Sequence, residues 1–359
     1  MMSDKLNQLR ERIDQLDEQI QVLLTERAQI AQEVAATKTK SDDNNFYRAE
    51  REAQVLRRVM ERNKGPLSNE EIARLFREIM SACLALEQVM NIAFLGPEGT
   101  FTQAAALKHF GHSVTTLPLA TIGDVFREVE SGNASYGVVP VENSTEGVIS
   151  HTLDQFMNSP LNISGEVELR IHHHLLGKGK DTNKVSRIYS HRQSLGQCRE
   201  WLETNMPGIE LRDVSSNAEA ARLAAQEENT LAIASDAAAE IYGLNVLVRN
   251  IEDEPDNTTR FLVIGKRATP RSGKDKTTLL VSTQNKPGAL YRILEPMVKH
   301  KISMTRIESR PSRRGMWDYV FFIDCEGHRE DANVAAALAE LEHEASFLKV
   351  LGSYPRSVL

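Results

Sequence analysis

The chain has 359 residues, 43 Lys and Arg against 50 Asp and Glu, and a formal charge of -7, which leaves room for two or three domains with real cores and argues against a nucleic-acid partner. Cys83, Cys198 and Cys325 lie far apart with no CxxC pair, so neither a disulfide framework nor a zinc site is indicated, and a reducing compartment is expected. Charged and apolar residues alternate from the start and no apolar run is long enough to span a bilayer, so the chain reads as cytoplasmic, without a membrane partner.

Leu6, Leu9, Ile13, Leu16, Ile20, Leu23, Arg27, Ile30 and Val34 step by three and four residues, the seam of a long helix. Arg27 occupies a seam position, Arg10 flanks it, and Lys38 falls one turn beyond Val34. A second helix from about Tyr47 to Arg62 carries Arg51 and Glu52 on the face of Val55 and Val59 and stops at Asn63-Lys64-Gly65-Pro66. Ser68 and Glu71 form a capping box for a third helix, whose stripe is Ile72, Phe76, Ile79, Cys83 and then Leu86 with Glu87. The first helix, about 45 Å long at 1.5 Å per residue, is too elongated to bury its seam within one chain, so a homodimer or higher homo-oligomer is expected. A single seam charge is ordinary register chemistry. Three cations and two acids on inward faces point instead to a pocket for a dianion.

From Asn91 the pattern becomes α/β, with strand Ile92–Leu95, helix Thr102–Phe110, strand Ser113–Leu117, helix Ile122–Ser131 and a strand from Gly137 to Val141. The stretch Tyr136 to Gly147, YGVVPVENSTEG, places Glu142, Asn143, Ser144 and Thr145 between that strand and a helix carrying Val148, Ile149, Leu153 and Phe156. Such side chains at a strand's carboxyl end suit an anionic ligand, and they are equally ordinary helix caps. A second run of the same kind covers Glu166 to about Val248, with strand Arg187–Tyr189, helix Leu195–Asn205, strand Ile209–Val214, helix Ala218–Gln226 and strand Thr230–Ala234, and the chain returns through Arg260–Ile264. Two lobes of largely parallel sheet with a cleft between them are expected. Gly96 to Thr100 lacks the GK[ST] ending of a phosphate loop. His172, His173 and His174 alternate across a strand with no further ligand at metal spacing, so no metal site is expected.

Arg267 to Lys276 is a linker by composition. Beyond it, strand Thr277–Thr283, helix Gly288–Lys299, strands Ile302–Ser309 and Trp317–Asp324, helix Asn333–His343 and strand Phe347–Leu351 give the βαββαβ order of a ferredoxin-like module. Asn285 to Leu290, NKPGAL, is at least a turn into a helix, and Glu308 to Pro311, ESRP, at least a strand end.

Asn91 to Phe101 reads NIAFLGPEGTF, Tyr189 to Cys198 YSHRQSLGQC and Asn257 to Phe261 NTTRF. In this order they resemble prephenate dehydratase, and with both flanks the chain resembles the bacterial bifunctional P-protein family, chorismate mutase–prephenate dehydratase, over essentially its whole length. The resemblance implies an all-α type II chorismate mutase bundle over residues 1–90. It further implies a two-lobed α/β dehydratase domain like a periplasmic binding protein over 91–268 and an α+β ferredoxin-like ACT domain over 276–355. No cofactor is implied.

In the mutase, Arg10 and Arg27 would hold the carboxylates of chorismate, one of them from a partner subunit, while Lys38 and Glu87 face the breaking ether bond. Glu87 stands where relatives carry glutamine, so it is expected to work protonated, since an ionised carboxylate cannot donate. Arg51 and Glu52 match further substrate positions, Glu52 at the ring hydroxyl. Arg48 and Cys83 align where some members carry aspartate and serine. In the dehydratase, Thr259 of TRF would donate to the departing hydroxyl of prephenate, with Thr100, Asn143, Ser144, His191, Gln193 and Arg260 as ligands for its carboxylates and leaving group. In the ACT domain, Asn285, Pro287, Gly288, Ala289, Leu290, Glu308, Ser309, Arg310 and Pro311 would bind L-phenylalanine as a feedback inhibitor. A ligand sensor without chemistry is the rival class, and it has no need of Arg10, Arg27, Lys38 and Glu52 together or of a threonine before Arg260.

Overall fold

A computed structural model describes residues 2–40, 47–179, 182, 185–283, 286–311 and 319–358, with side chains at all of these except 2, 3 and 38–40. The N-terminal periodicity gives α1 (Met2–Lys40), α2 (Ala49–Arg62) and α3 (Asn69–Ala85). The Ser68 hydroxyl accepts from the Glu71 N–H at 3.1 Å, the expected cap. On α1 the apolar seam residues from Leu6 to Val34 are 42–63% exposed, so one chain leaves that seam uncovered.

Helices α2 and α3 do not form a free-standing bundle. Ala49, Ala53, Leu56 and Val59 share the buried face of α2 at helical spacing. Tyr47, just before α2, packs against His109, Phe110 and Tyr136 of the following domain, its hydroxyl 3.0 Å from His109 Nε2. Arg57 donates to the Ser272 and Lys274 carbonyls, and Arg77 of α3 to the Lys108 carbonyl at 2.6 Å. An amphipathic stripe states that a helix is covered without saying by what.

The first lobe comprises β1 (Asn91–Leu95), α4 (Phe101–Phe110), β2 (Thr115–Leu119), α5 (Ile122–Ser131), β3 (Tyr136–Asn143), β4 (Gly147–Val148), α6 (Ser150–Phe156) and β5 (Asn162–Arg170). The second comprises β6 (His174–Gly177), β7 (Arg187–His191), α7 (Arg192–Gln197), α8 (Arg199–Asn205), β8 (Glu210–Val214), α9 (Asn217–Gln226), β9 (Thr230–Ala234), α10 (Asp236–Tyr242) and β10 (Asn245–Val248). The chain then returns to the first lobe as β11 (Thr258–Gly265), giving sheet orders β2-β1-β3-β11-β5, with β4 on β3, and β10-β6-β9-β7-β8.

Two expectations need correction. The sheets are mixed: β11 runs antiparallel to both β3 and β5, and β6 antiparallel to β9 and β10, because a returning strand enters from the far end. The residues after Asn143 do not start a helix. They turn back as the short strand β4, and α6 begins only at Ser150.

The C-terminal module is β12 (Asp275–Thr283), α11 (Ala289–Lys299), β13 (Met304–Pro311), β14 (Tyr319–Glu326), α12 (Ala332–Glu344) and β15 (Phe347–Pro355), in the order β13-β14-β12-β15 with every described pair antiparallel. Trp317 and Asp318 of the expected third strand lie outside the described residues. One face of this sheet buries Leu279, Val281 and Ile323 against α11 and α12. Its other face adds Leu280, Phe322, Leu351 and Tyr354 to the core that holds Phe126, Phe156 and Leu262 of the first lobe. Contact there is so close that a Cβ on Gly352 would stand 2.2 Å from the Ile163 carbonyl oxygen. The expected linker is packed as well: Thr269, Ser272 and Lys276 are buried, and Asp275 accepts from the N–H groups of Ser272 and Gly273. No helix among the described residues is long and apolar enough to cross a membrane.

Burial, with the Arg77 cation nearby, pulls the His109 pKa down to about 3. The folded chain therefore refuses a proton that the unfolded chain accepts below the ordinary value of about 6.5, so stability present above that pH is lost as pH falls. His109→Gln should lose about 2 kcal/mol less than wild type between pH 7 and pH 5, at ~1.4 kcal/mol per pH unit for one proton. Urea denaturation at the two pH values measures this, and equal losses would remove His109 from the account.

Candidate active site

A cavity of about 790 Å³ opens between the lobes. Its walls come from the turn after β1, the β3–β4 turn, the start of α7, the loop before α9, and Thr259 and Phe261 of β11. Strand alternation presents 259 and 261 to one face of the sheet and 260 to the other.

Hydrogen-bond direction inside the site is fixed from the backbone outward. Asn143 Oδ1 accepts from the N–H groups of Thr145 and Glu146 at 3.0 and 2.9 Å, and these can only donate. Asn143 Nδ2 is therefore the donor, at 2.8 Å both to Thr259 Oγ1 and to Asn257 Oδ1. Asn257 Nδ2 in turn donates to Gln197 Oε1 at 3.0 Å, which makes His173, 2.8 Å from that same oxygen, the donor through Nε2. Burial lowers the His173 pKa and favours this neutral form. The result is a partly buried chain of amides tying the first lobe to the second. At its end Thr259 accepts through its oxygen, and among the described residues its own proton meets no acceptor, leaving it for the cleft.

Thr100, Asn143, His191, Gln193 and Thr259 of the expected site line this cavity. Thr100 spends its hydroxyl on the α4 cap, donating to the Leu95 carbonyl at 3.1 Å and accepting from the Gln103 N–H. His191 caps α7 through Nδ1, and burial lowers its pKa while Asp213 and Glu146 pull upward.

Ser144 and Arg260 stand elsewhere. The Ser144 hydroxyl accepts from the Thr258 N–H at 3.0 Å and fastens β3 to β11 outside the cavity lining. Arg260 points to the opposite face, its guanidinium 3.0 Å from Glu166 and 2.6 Å from Asp324, with Tyr354 at 3.1 Å. Burial alone would lower its pKa, but Tyr354, Asp324 and Glu166 raise it. Among the described lining residues there is no lysine or arginine. The lining offers an anion hydroxyls, amides and the N-termini of α4 and α9, with Glu146 the carboxylate among the described lining residues.

Residues that motif reading did not single out include Gln197, Asn217 and Asn257. Asn217 Oδ1 accepts from the His191 N–H and the Ser190 hydroxyl, and its Nδ2 donates to Ser194 Oγ, locking the α7 turn in place. Gln197 and Asn257 lie within the quoted motifs, so position was visible in the sequence and partnership was not. The three histidines divide as strand alternation requires: the rings of His172 and His174 stack at 6.4 Å, meeting Glu252 and Asp236, while His173 meets Gln197.

In the helical region Arg10 and Arg51 are exposed, Arg27 and Glu87 half-buried and Cys83 buried. Arg48 lies 3.8 Å from Glu50. Lys38 belongs to α1, and its side chain is outside the described atoms. Glu52 is half-buried, 3.1 Å from Arg77 Nε, beside the buried Ala49, Ala53 and Leu56 of its helix. Burial raises its pKa and Arg77 opposes the rise.

In the C-terminal module Gly288 takes φ +79° to start α11, with Pro287 and Leu290 exposed and Ala289 buried. Asn285 lies outside the described residues. Ser309 and Pro311 are exposed and Glu308 half-buried. Arg310 is occupied between domains, 3.0 Å from Asp154 and hydrogen-bonded to Ser150 on α6.

Family models match in three consecutive blocks: chorismate mutase type II over residues 9–88, prephenate dehydratase over 92–269 and ACT domain over 277–343. A bifunctional chorismate mutase/prephenate dehydratase of Stutzerimonas stutzeri is 59% identical over 99% of both chains, and one of Escherichia coli strain K12 is 34% identical over 97% of this chain and 95% of that one. The solved prephenate dehydratase of Arthrobacter aurescens in complex with L-Phe superposes with a TM-score of 0.69 at 35% identity, covering 74% of this chain and 90% of that one.

Asn257 is 1% exposed and joins Asn143 to Gln197. Asn257→Ala strands buried amide groups and should cost about 2–3 kcal/mol in urea denaturation, whereas Thr258→Ala next to it should cost well under ~1 kcal/mol. Equal costs would mean that the amide chain holds nothing together.

Proposed function

The chain belongs to the bifunctional chorismate mutase/prephenate dehydratase family and carries both activities, and from that premise we propose which residues perform each step. The enzyme rearranges chorismate to prephenate and converts prephenate to phenylpyruvate for phenylalanine biosynthesis, under feedback by L-phenylalanine at the ACT module. The L-Phe complex of the Arthrobacter relative supports the effector. Three buried, unpaired cysteines support a cytoplasmic setting.

For the dehydratase, the observation that carries the assignment is the fixed direction of the Asn143–Thr259 bond. Prephenate loses its ring hydroxyl and its ring carboxylate together. The electron pair of the breaking C–C bond enters the ring, CO2 leaves, the departing hydroxide takes up a proton as water, and aromatisation drives the step. Thr259 supplies the hydrogen bond to that oxygen. A threonine is too weak an acid to act by pKa alone, so placement does most of the lowering of the barrier. Asn143 holds Thr259, while Gln193, His191 and the N–H groups near Thr100 face the carboxylates. Ser144 and Arg260 drop out of the ligand set because their side chains are spent elsewhere.

For the mutase, a pericyclic rearrangement needs no general base, only a held conformer and donors at the ether oxygen. Arg10, Arg27, Lys38 and Glu87 take those roles, with Arg48, Arg51 and Cys83 at the margins, in a site completed by a second copy. The uncovered seam of α1 supports that second copy. Glu52, held by Arg77, is not assigned to substrate.

Incubation with chorismate should yield prephenate and then phenylpyruvate, read by its absorbance in alkali. Thr259→Ala should lower dehydratase kcat by about 10²–10³ and leave mutase turnover within about twofold. A near-wild-type dehydratase in this variant would remove Thr259 from the chemistry. Leu16→Asp in the seam should weaken self-association in sedimentation and lower mutase turnover at least ~tenfold, since a buried charge is costly. A monomeric wild type with full mutase activity would refute the shared site.

A further inference from the structure

Antiparallel register sets Asn143 opposite Thr259 and Glu142 opposite Arg260. The first pair makes the hydrogen bond at the cleft, and the second faces the ACT sheet. On that sheet Arg306 of β13 and Asp324 of β14 are register partners too. Arg260 Nη1 meets Asp324 Oδ2 at 2.6 Å, and Arg306 Nε meets Glu142 Oε2 at 3.1 Å. Glu142, Arg260, Asp324 and Arg306 thus form a ring of alternating sign that spans two domains, with two of its sides salt bridges and the other two strand-register pairs. Three corners are nearly dry, with side-chain exposures of 12%, 1% and 10% for Arg260, Asp324 and Arg306, against 37% for Glu142.

The corners differ in how firmly they are held. Asp324 also accepts from Thr278 at 2.7 Å, and Arg260 also meets Glu166 and Tyr354. Arg306 Nη2 is buried without a hydrogen-bond partner, so its corner is the least satisfied. Two residues further along the same strand begins ESRP, whose Arg310 grips α6 through Asp154. Within the ring, then, the least satisfied corner lies on the strand that carries the ESRP motif.

We propose that this ring positions the Asn143–Thr259 hydrogen bond, which makes Arg306 and Asp324 of the ACT module positioning residues for the dehydration and gives movement of β13 a direct route to the chemistry. The second half rests on the ACT module being the phenylalanine sensor. Glu142 and Arg260 are each one peptide from the groups they steady. A misplacement on the order of 1 Å at such a site can cost ~100-fold in rate.

The test uses full-length protein. Arg306→Gln should lower dehydratase kcat at least ~fivefold, with KM within ~threefold and mutase turnover within ~twofold, and Arg306→Lys, which restores a point charge beside Glu142, should recover most of the loss. A smaller fall in kcat, or one matched by the mutase as general unfolding would produce, overturns the positioning role. In parallel, phenylalanine affinity is taken by calorimetry and inhibition by assay. Arg306→Gln should bind phenylalanine within ~threefold of wild type yet respond to it with much weaker inhibition, since coupling is separable from binding. Full inhibition in the variant overturns the route through β13. A wild type that binds phenylalanine without slowing, or does not bind it, sinks the sensor reading alone and leaves the kcat arm to judge the ring.

Discussion

The antiparallel pairing of β3 with β11 is the constraint on which the rest of the molecule depends. A strand shows successive residues to opposite faces, so a single register assigns four side chains at once. Asn143 and Thr259 go to the cleft, Glu142 and Arg260 to the ACT module. A slip of β11 by one residue would exchange Thr259 and Arg260, putting a guanidinium in the cleft and a hydroxyl between domains. The register is held by Ser144 clasping Thr258 at the end of the pair and by buried Val138, Val139, Phe261 and Leu262 along it. An irregularity between Arg260 and Phe261 sits beside the site, where an extra residue can re-aim a side chain.

The charges behind that pairing are arranged for specificity more than for strength. Glu142, Arg260, Asp324, Arg306, Glu166 and Lys276 sum to zero, with Lys276 2.7 Å from Glu166. Buried pairs of this kind recover little more than the desolvation they cost, and breaking one is far worse than never having had it. What they do secure is the position of the ACT sheet on the first lobe, since an apolar surface of Leu280, Phe322 and Leu351 alone would tolerate sliding. Packed chain between the modules acts the same way. The stretch that composition marks as a linker is instead pinned by Asp275 and by Arg57 of α2.

Much of this was legible in the sequence, and the failures share one cause. Helix caps, the strands β1 and β3, the βαββαβ order and the TRF motif are local patterns, and local patterns were readable. Arg260 was misplaced because its motif fixes its neighbourhood but not its face, and only the partner strand decides the face. The residues after Asn143 carry the composition of a helix cap, and the same side chain served a tight turn into a strand of two residues. Glu52 was expected at the mutase ring hydroxyl because it matches a family position on an amphipathic helix. What covers that face turned out to be Arg77 and the dehydratase domain. The amide chain from Asn143 to His173 joins residues more than a hundred positions apart in places, and no spacing announces it.

The absence of lysine and arginine among the described lining residues fits the stoichiometry of the proposed dehydration. Prephenate enters with two carboxylates, and one of them leaves as neutral CO2. A fixed guanidinium paired with the departing carboxylate would be left charged and unpartnered in a partly dry cavity, a cost of several kcal/mol borne by the product complex. Hydroxyls, amides and backbone N–H groups hold an anion well enough to orient it and lose far less when it disappears. The cations that the sequence did supply near the site, Arg260 and Arg306, stand behind the sheet, paired with Glu166, Asp324 and Glu142 and not with the substrate carboxylates. The cleft can therefore lose a charge in every turnover without disturbing the electrostatics that hold its walls.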